Sequence, residues 1–200
     1  MAIHYPNGKS YLKKIGSSNT KRTKNIVYGK RGMSLEDEIN ESNKYYLESG
    51  IAVIHKKPTP VQIVDVFYPK RSAAVIKKAY FKQASTTDYN GVYQGKYIDF
   101  EAKETKNKTS FPLSNFHEHQ INHMKACCKQ DGVCFTIVKF VADAQIFLMP
   151  SETLFYYWDR QNNGRKSIPK EVIAQDGFEI AYELQPRIPY LKYVDRLINK

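Results

Sequence analysis

No apolar run in this 200-residue chain approaches the eighteen or so residues a membrane-spanning helix requires, and the polar, basic N-terminus has no signal-peptide hydrophobic segment. A cytoplasmic protein without a membrane partner is expected. Cysteine is scarce: Cys127, Cys128 and Cys134 are odd in number and lack CxxC spacing. That disfavours both a disulfide framework and a Cys-rich zinc site, leaving reduced structural thiols. His119 and His123 stand at i, i+4, but His-Gln-x-x-His lacks the catalytic Glu of zinc-hydrolase helices. No internal repeat is apparent. Acidic residues are absent from positions 1–31, which carry eight Lys/Arg.

What is present indicates a folded, basic chain. Hydrophobic residues make up 42% of it, with 15 Tyr and 10 Phe, enough for one domain with a sizeable core. The net charge of +11 is unevenly placed: besides the N-terminal block, residues 56–82 hold seven Lys/Arg against the single Asp65. Such asymmetry favours a polyanionic partner. Nucleic acid is the better fit than membrane, because no amphipathic anchor helix accompanies the first block. The plainer reading of that block is a solubilising tail. Composition divides the chain into a basic arm over residues 1–30, ordering on DNA, and one domain over residues 31–200.

The informative stretch is Asp88-Tyr-Asn-Gly-Val-Tyr-Gln-Gly-Lys-Tyr-Ile-Asp-Phe-Glu-Ala-Lys103. Two β-rich runs flank Gln94-Gly95, and glycine at the second loop position supplies the positive φ of a two-residue hairpin. That turn pairs Tyr93 with Lys96 and sets Asp88 opposite Glu101. Period-two alternation then puts Tyr97, Asp99, Glu101 and Lys103 on one polar face and Ile98, Phe100 and Ala102 on a core face. Opposed carboxylates repel and need a cation. Two hard oxygen ligands suit Mg²⁺, with Mn²⁺ substituting for it. Lys103, in phase with Glu101, is placed to stabilise charge developing on a phosphate. Taken alone, Glu-x-Lys is common on solvated strand faces; the opposed acids, the Lys in phase and the basic surroundings are what distinguish it.

Elsewhere, Ser34 with Asp37 three residues on starts a helix carrying Leu35, Ile39, Tyr46 and Leu47. Its acids Glu36 and Glu38 complement the helix dipole. Residues 51–54 read as a short buried strand. Residues 61–68 and 73–82 alternate around the turn Pro69-Lys-Arg-Ser72. This proline-bounded, basic unit, about 56–84, is expected to protrude as a stalk. Lys56, Lys70, Arg71 and Lys77 would meet phosphates, as would Arg31 at the end of the arm. Tyr80 and Phe81 would stack on unpaired bases, their alternative being core positions. A helix over 114–130 places Phe116, Gln120, His123, Met124 and Cys127 on one stripe, so Gln120 faces inward with an amide to satisfy. Strands at 133–140, 145–149 and 178–184 and helices at 151–158 and 189–198 complete the domain as scaffold or subunit interface.

Asp88, then Glu101-Ala-Lys103, resembles the PD-(D/E)XK motif of restriction endonucleases and archaeal-type junction resolvases, although Thr87 stands where that pattern has Pro. The runs Arg31-Gly-Met-Ser-Leu-Glu-Asp-Glu38, His55-Lys-Lys-Pro-Thr-Pro60, Pro69-Lys-Arg-Ser72, Thr86-Thr-Asp-Tyr-Asn90 and Phe100-Glu-Ala-Lys-Glu-Thr-Lys106 are closer still to the RecU family of Gram-positive Holliday junction resolvases. That resemblance covers nearly the whole chain. It implies an α/β, restriction-endonuclease-like mixed β-sheet core flanked by helices, with the stalk engaging the centre of a four-way junction. It implies Thr86, Asp88, Glu101 and Gln120 as metal ligands and Lys103 as the transition-state cation. Glu36 is a further acid in a position where some resolvases of the superfamily bring a helix-borne carboxylate to the metal.

The resulting expectation is a Mg²⁺-dependent endonuclease that resolves Holliday junctions in recombination and DNA repair by paired symmetric nicks, as a C2 homodimer. Recombinase and branch-migration proteins are further partners in that setting. The alternative is a non-catalytic architectural protein that binds junctions through arm and stalk, which accounts for the charge but not for the opposed acids.

Overall fold

The computed structural model describes residues 33–82 and 86–199. The N-terminal arm and Arg31 lie outside the described residues, and of Arg71 only the backbone is described.

The hairpin is the centre of the sheet. Strands β4 (Tyr89–Tyr93) and β5 (Lys96–Thr105) pair antiparallel with Tyr93 opposite Lys96 and Tyr89 opposite Phe100, the register the turn arithmetic demands. Both turn residues adopt positive φ, Gln94 at 49° and Gly95 at 73°. Two positive φ values are the signature of a type I′ turn, whose twist matches the flanking strands. Gln94 carries its unfavourable conformation with its amide bonded to Tyr93 Oη at 2.9 Å and Asp195 Oδ1 at 3.0 Å.

Around the hairpin grows a six-stranded mixed sheet in the order β1 (Val53–Lys56), β4, β5, β7 (Val133–Phe140), β8 (Gln145–Pro150) and β10 (Phe178–Ile180). Only the β5–β7 pair is parallel. The crossover between those two strands carries β6 (Ser110–Pro112) and helix α2 (Glu118–Cys128). This is the α/β architecture expected: a mixed sheet flanked by helices. Strand β1 differs from the buried strand read from residues 51–54. It is an edge strand, with Ile54 buried and Val53 half exposed. Gly91 on β4 lets β1 come close, for a Cβ there would sit 2.0 Å from the Val53 carbonyl oxygen.

Two hydrophobic cores form, one on each face. On one, helices α1 (Leu35–Glu48) and α5 (Leu191–Ile198) cover Ile98, Phe100, Ala102, Phe135 and Ile137. Tyr89, Phe100 and Phe135 stack ring on ring across three strands, with centroids 4.8 Å apart at each step. On the other, α2, α3 (Ser151–Arg160) and α4 (Lys170–Asp176) cover Cys134, Val138, Phe147 and Met149. The short strand β9 (Ser167–Pro169) pairs with β6 at the margin of this second core.

Helix α1 begins as its sequence requires. Ser34 Oγ accepts the Asp37 N–H at 3.2 Å, and Asp37 Oδ2 accepts the Ser34 N–H at 3.2 Å. Glu38, read as a dipole-complementing acid, is instead buried at 3% exposure. It accepts from Lys139 Nζ at 2.8 Å, Arg187 Nε at 2.9 Å and Tyr182 Oη at 2.9 Å. Burial works to raise its pKa, but these three donors outweigh it and hold the carboxyl below its ordinary value. Glu38→Ala leaves Lys139 and Arg187 without their shared anion, and stability should fall by about 2–4 kcal/mol. A urea titration with a lowered midpoint and an unchanged slope checks it.

Strands β2 (Val61–Phe67) and β3 (Val75–Phe81) pair only with each other, forming a separate two-stranded ribbon joined through a 3₁₀ turn at Arg71–Ala73. Nearly every residue of both strands is exposed.

Candidate active site

The site is built on β5, whose odd-numbered side chains face α2. There the structure departs from a solvated polar face: Asp99 and Glu101 are both fully buried. The sequence pattern distinguished the two faces of β5, but α2 packs over the polar one.

Asp88, just before β4, meets Glu101 across the hairpin, and Lys103 lies between them. Its Nζ is 3.2 Å from Asp88 Oδ2 and 2.7 Å from Glu101 Oε2. The Ala102 N–H points to Asp88 Oδ2 at 3.4 Å. Burial drives the Glu101 carboxyl up to about 9, and the neighbouring Asp88 pushes it the same way. Burial also acts to raise Asp88, but the Glu101 carboxyl, the Lys103 ammonium and the Ala102 N–H together hold Asp88 below its ordinary value. For Lys103, desolvation favours the neutral amine, yet the two carboxylates prevail and its pKa is raised. Lys103 is therefore a cation here, not a base.

These residues fit a divalent cation. Glu101 Oε1 is fully buried without a hydrogen-bond donor among the described residues. Two ionised carboxylates cannot donate to each other, so the pair needs either a shared proton or a metal. Thr136, the register partner of Glu101 on β7, is likewise buried with its hydroxyl lacking a described partner. It is a site residue that sequence alone did not single out. Parallel pairing of β5 with β7 puts it there, and no local pattern signals that.

Thr86 and Asp88 line a cleft of about 430 Å³ together with Glu36, Lys56 and Lys57. Glu36 thus faces the same opening as Asp88. Lys56, expected to contact DNA, makes a close ion pair with Glu36 on the cleft wall. Lys57 Nζ bonds Thr87 Oγ1 at 2.8 Å and Asp99 Oδ2 at 2.9 Å. Thr87, in the place of the motif proline, also donates to Asp99 Oδ1. The hydroxyl thereby fixes the turn that presents Asp88.

Gln120 is buried, as its stripe required. The helix, however, begins at Glu118 rather than at 114, because residues 113–115 form a 3₁₀ turn behind Pro112. Gln120 thereby becomes the third helical residue, and its Oε1 accepts the His117 N–H at 3.0 Å. In this structure its carbonyl serves the helix cap. On the β2–β3 ribbon, Tyr80 is 55% and Phe81 84% exposed, so neither is a core position. Lys70 is exposed, and Lys77 Nζ lies 4.6 Å from the centre of the Phe67 ring.

Two acids and a lysine, one acid at the head of β4 and the others on β5, reproduce the PD-(D/E)XK pattern read from the sequence. The family model described as RecU, Recombination protein U, matches residues 30–196. The Holliday junction resolvase RecU of Ligilactobacillus salivarius is 62% identical over 211 residues, covering 99% of this chain and 99% of its own. That of Pediococcus pentosaceus is 62% identical over 201 residues, covering 100% and 99%. That of Bacillus subtilis is 58% identical over 197 residues, covering 98% and 95%. Among solved structures, Archaeoglobus fulgidus Hjc, a Holliday junction resolvase, matches with 10% identity and a TM-score of 0.40 over 70% of this chain and 94% of that one. The chain belongs to the RecU family.

Proposed function

We propose that this protein is an endodeoxyribonuclease that resolves Holliday junctions, hydrolysing one phosphodiester in each of two symmetric strands with Mg²⁺ as its cofactor, in the cytoplasm. The observation that carries the reading is the pairing of half-buried Asp88 with fully buried Glu101, with Lys103 between the carboxyls. An architectural DNA-binding protein would gain nothing from burying acids that repel phosphate.

Asp88 and Glu101 would hold the cation, with Thr86 at the cleft mouth. Gln120 would join them once its carbonyl leaves the helix cap. When bound, the cation lowers the pKa of a water and polarises the phosphoryl oxygen. Lys103 supplies the fixed positive charge for the scissile phosphate as negative charge builds in the transition state. Asp99, anchored by Thr87 and Lys57, keeps the Asp88 turn in register. Symmetric nicks require two equivalent sites, which a C2 homodimer provides. Purified protein with a synthetic four-way junction should give paired nicks in Mg²⁺ and none in chelator. Linear duplex of the same sequence should be cut far more slowly, and equal cutting of both would refute the assignment.

The exposed ribbon is assigned to the junction. Lys70 and Lys77 neutralise phosphates, and each replacement by Ala should flatten the salt dependence of junction affinity by about one counterion. Affinity should drop several-fold, with the nicking rate at saturating protein unchanged. Gel-shift titrations at several salt concentrations read both quantities.

A further inference from the structure

A second cluster of ligating atoms lies further along the α2 face of the sheet. One carboxylate oxygen of Asp99 and the Sγ atoms of Cys127 and Cys134 all fall within 4.8 Å of one another. His123 adjoins them, its Nε2 being 3.1 Å from Asp99 Oδ2 and 3.5 Å from Cys127 Sγ. We propose that Asp99, His123, Cys127 and Cys134 form a structural site for one thiophilic divalent cation, of which Zn²⁺ is the natural occupant, separate from the Asp88–Glu101 pair.

Geometry, softness and charge support this. Tetrahedral zinc with bonds of about 2.0–2.3 Å sets its ligands roughly 3.3–3.8 Å apart. The His123–Cys127 separation of 3.5 Å already has that size, the Asp99–His123 separation of 3.1 Å is slightly below it, and the atoms of Asp99, Cys127 and Cys134, within 4.8 Å of one another, would have to draw together around the ion. Thiolate and imidazole select zinc, whereas Asp88 and Glu101 offer only oxygen, so the two sites sort two metals. Zn²⁺ with one carboxylate and two thiolates leaves a single negative charge. Lys57 Nζ, 2.9 Å from Asp99 Oδ2, is in place to balance it. The thiols give up only weak bonds, Cys134 Sγ donating to the Met124 carbonyl at 3.6 Å and Cys127 touching His123 itself, whereas the ion competes at Asp99 Oδ2 with Lys57 Nζ and Tyr97 Oη, each at 2.9 Å. Asp99 and Cys134 are buried while His123 and Cys127 are half-buried, which leaves a side for the ion to enter.

The ligands come from β5, α2 and β7, with Asp99 and Cys134 register partners in the parallel pair. That arrangement explains why cysteine spacing argued against a zinc site: the ligands converge across the fold, not within a CxxC. A bound ion would staple α2 to the strands that carry the proposed active site.

The test uses the reduced full-length protein titrated with Co²⁺ in excess Mg²⁺. The expected result is one equivalent of tetrahedral cobalt, seen as a near-ultraviolet thiolate charge-transfer band with visible ligand-field bands, and displaced by Zn²⁺. Cobalt on the oxygen-only pair would show no thiolate band, so failure of this site is distinguishable from failure of the nuclease reading. Cys127→Ser and Cys134→Ser should each weaken the band and together abolish it, with circular dichroism confirming that they fold, and Cys128→Ser should retain it. Zn²⁺ should also protect two of the three thiols from a disulfide reagent and raise Tm. Absence of the band in the parent protein, its persistence in the Cys127→Ser/Cys134→Ser variant, or unprotected thiols at saturating Zn²⁺ would overturn the proposal.

Discussion

Asp88→Asn should lower Mg²⁺-dependent nicking of a four-way junction by on the order of 10³-fold or more while leaving junction binding intact. The amide is isosteric and its carbonyl can still accept from the Ala102 N–H and Lys103, which lie 3.4 Å and 3.2 Å from Asp88 Oδ2. The backbone of the turn should therefore hold. What disappears is one of the two charges proposed to grip the cation, and the remaining Glu101–Lys103 pair is already neutral without a metal. Binding should be unchanged or slightly tighter, since a charge that repels phosphate is gone. Gel shifts in Ca²⁺ and single-turnover nicking in Mg²⁺ separate the two effects. A variant that nicks at the parental rate would remove Asp88 from the metal site.

Glu101→Gln should be equally inactive yet more stable than the parent when no metal is present. The carboxyl of Glu101 ordinarily titrates at 4.5 and is pushed to about 9 in the folded chain, first by burial and then by Asp88. Between those two pH values the folded state binds a proton that the unfolded state has released. Metal-free stability must therefore fall as pH rises through this window. Asp88 acts in the opposite sense: its lowered pKa adds stability above its ordinary 3.8 that is lost only in more acidic solution. The two windows do not overlap, so the part of the neutral-to-alkaline slope that Glu101→Gln removes belongs to Glu101. Glutamine removes the slope and leaves Lys103 with Asp88 as a single balanced pair. A gain of roughly 1–3 kcal/mol at pH 8 is expected. Thermal melts of both proteins in chelator from pH 5 to 9 should converge at the acid end and diverge at the alkaline end. Stabilisation by added Mg²⁺ should appear only in the parent. Melting curves that run parallel across the range would contradict the assigned ionisation.

The opposition of Asp88 and Glu101 was legible because it depends on a two-residue turn and a period of two, both readable within sixteen residues. The start of α1 was legible for the same reason, its capping box spanning the four residues from Ser34 to Asp37. Other features had no local signature. Glu38 looked like any first-turn acid, and its partners Lys139, Tyr182 and Arg187 lie more than a hundred residues away in sequence. Gln120 was rightly turned inward by helical periodicity, but the 3₁₀ turn ahead of α2 changed its position in the helix and hence what its carbonyl meets. Asp99 stood in the polar row without a role, because Lys57, Thr87 and His123 reach it from three other segments.

Turn chemistry, alternation and clustered charge act over a few residues, so the amino-acid order alone placed two acids opposite each other beside a lysine in a basic chain. Whether those acids would be wet or dry depended on α2 closing over β5 and on β7 pairing parallel to it. Burial is a property of what packs on top, and desolvation is what turns an ordinary pair of surface carboxylates into one that needs a proton or a metal ion.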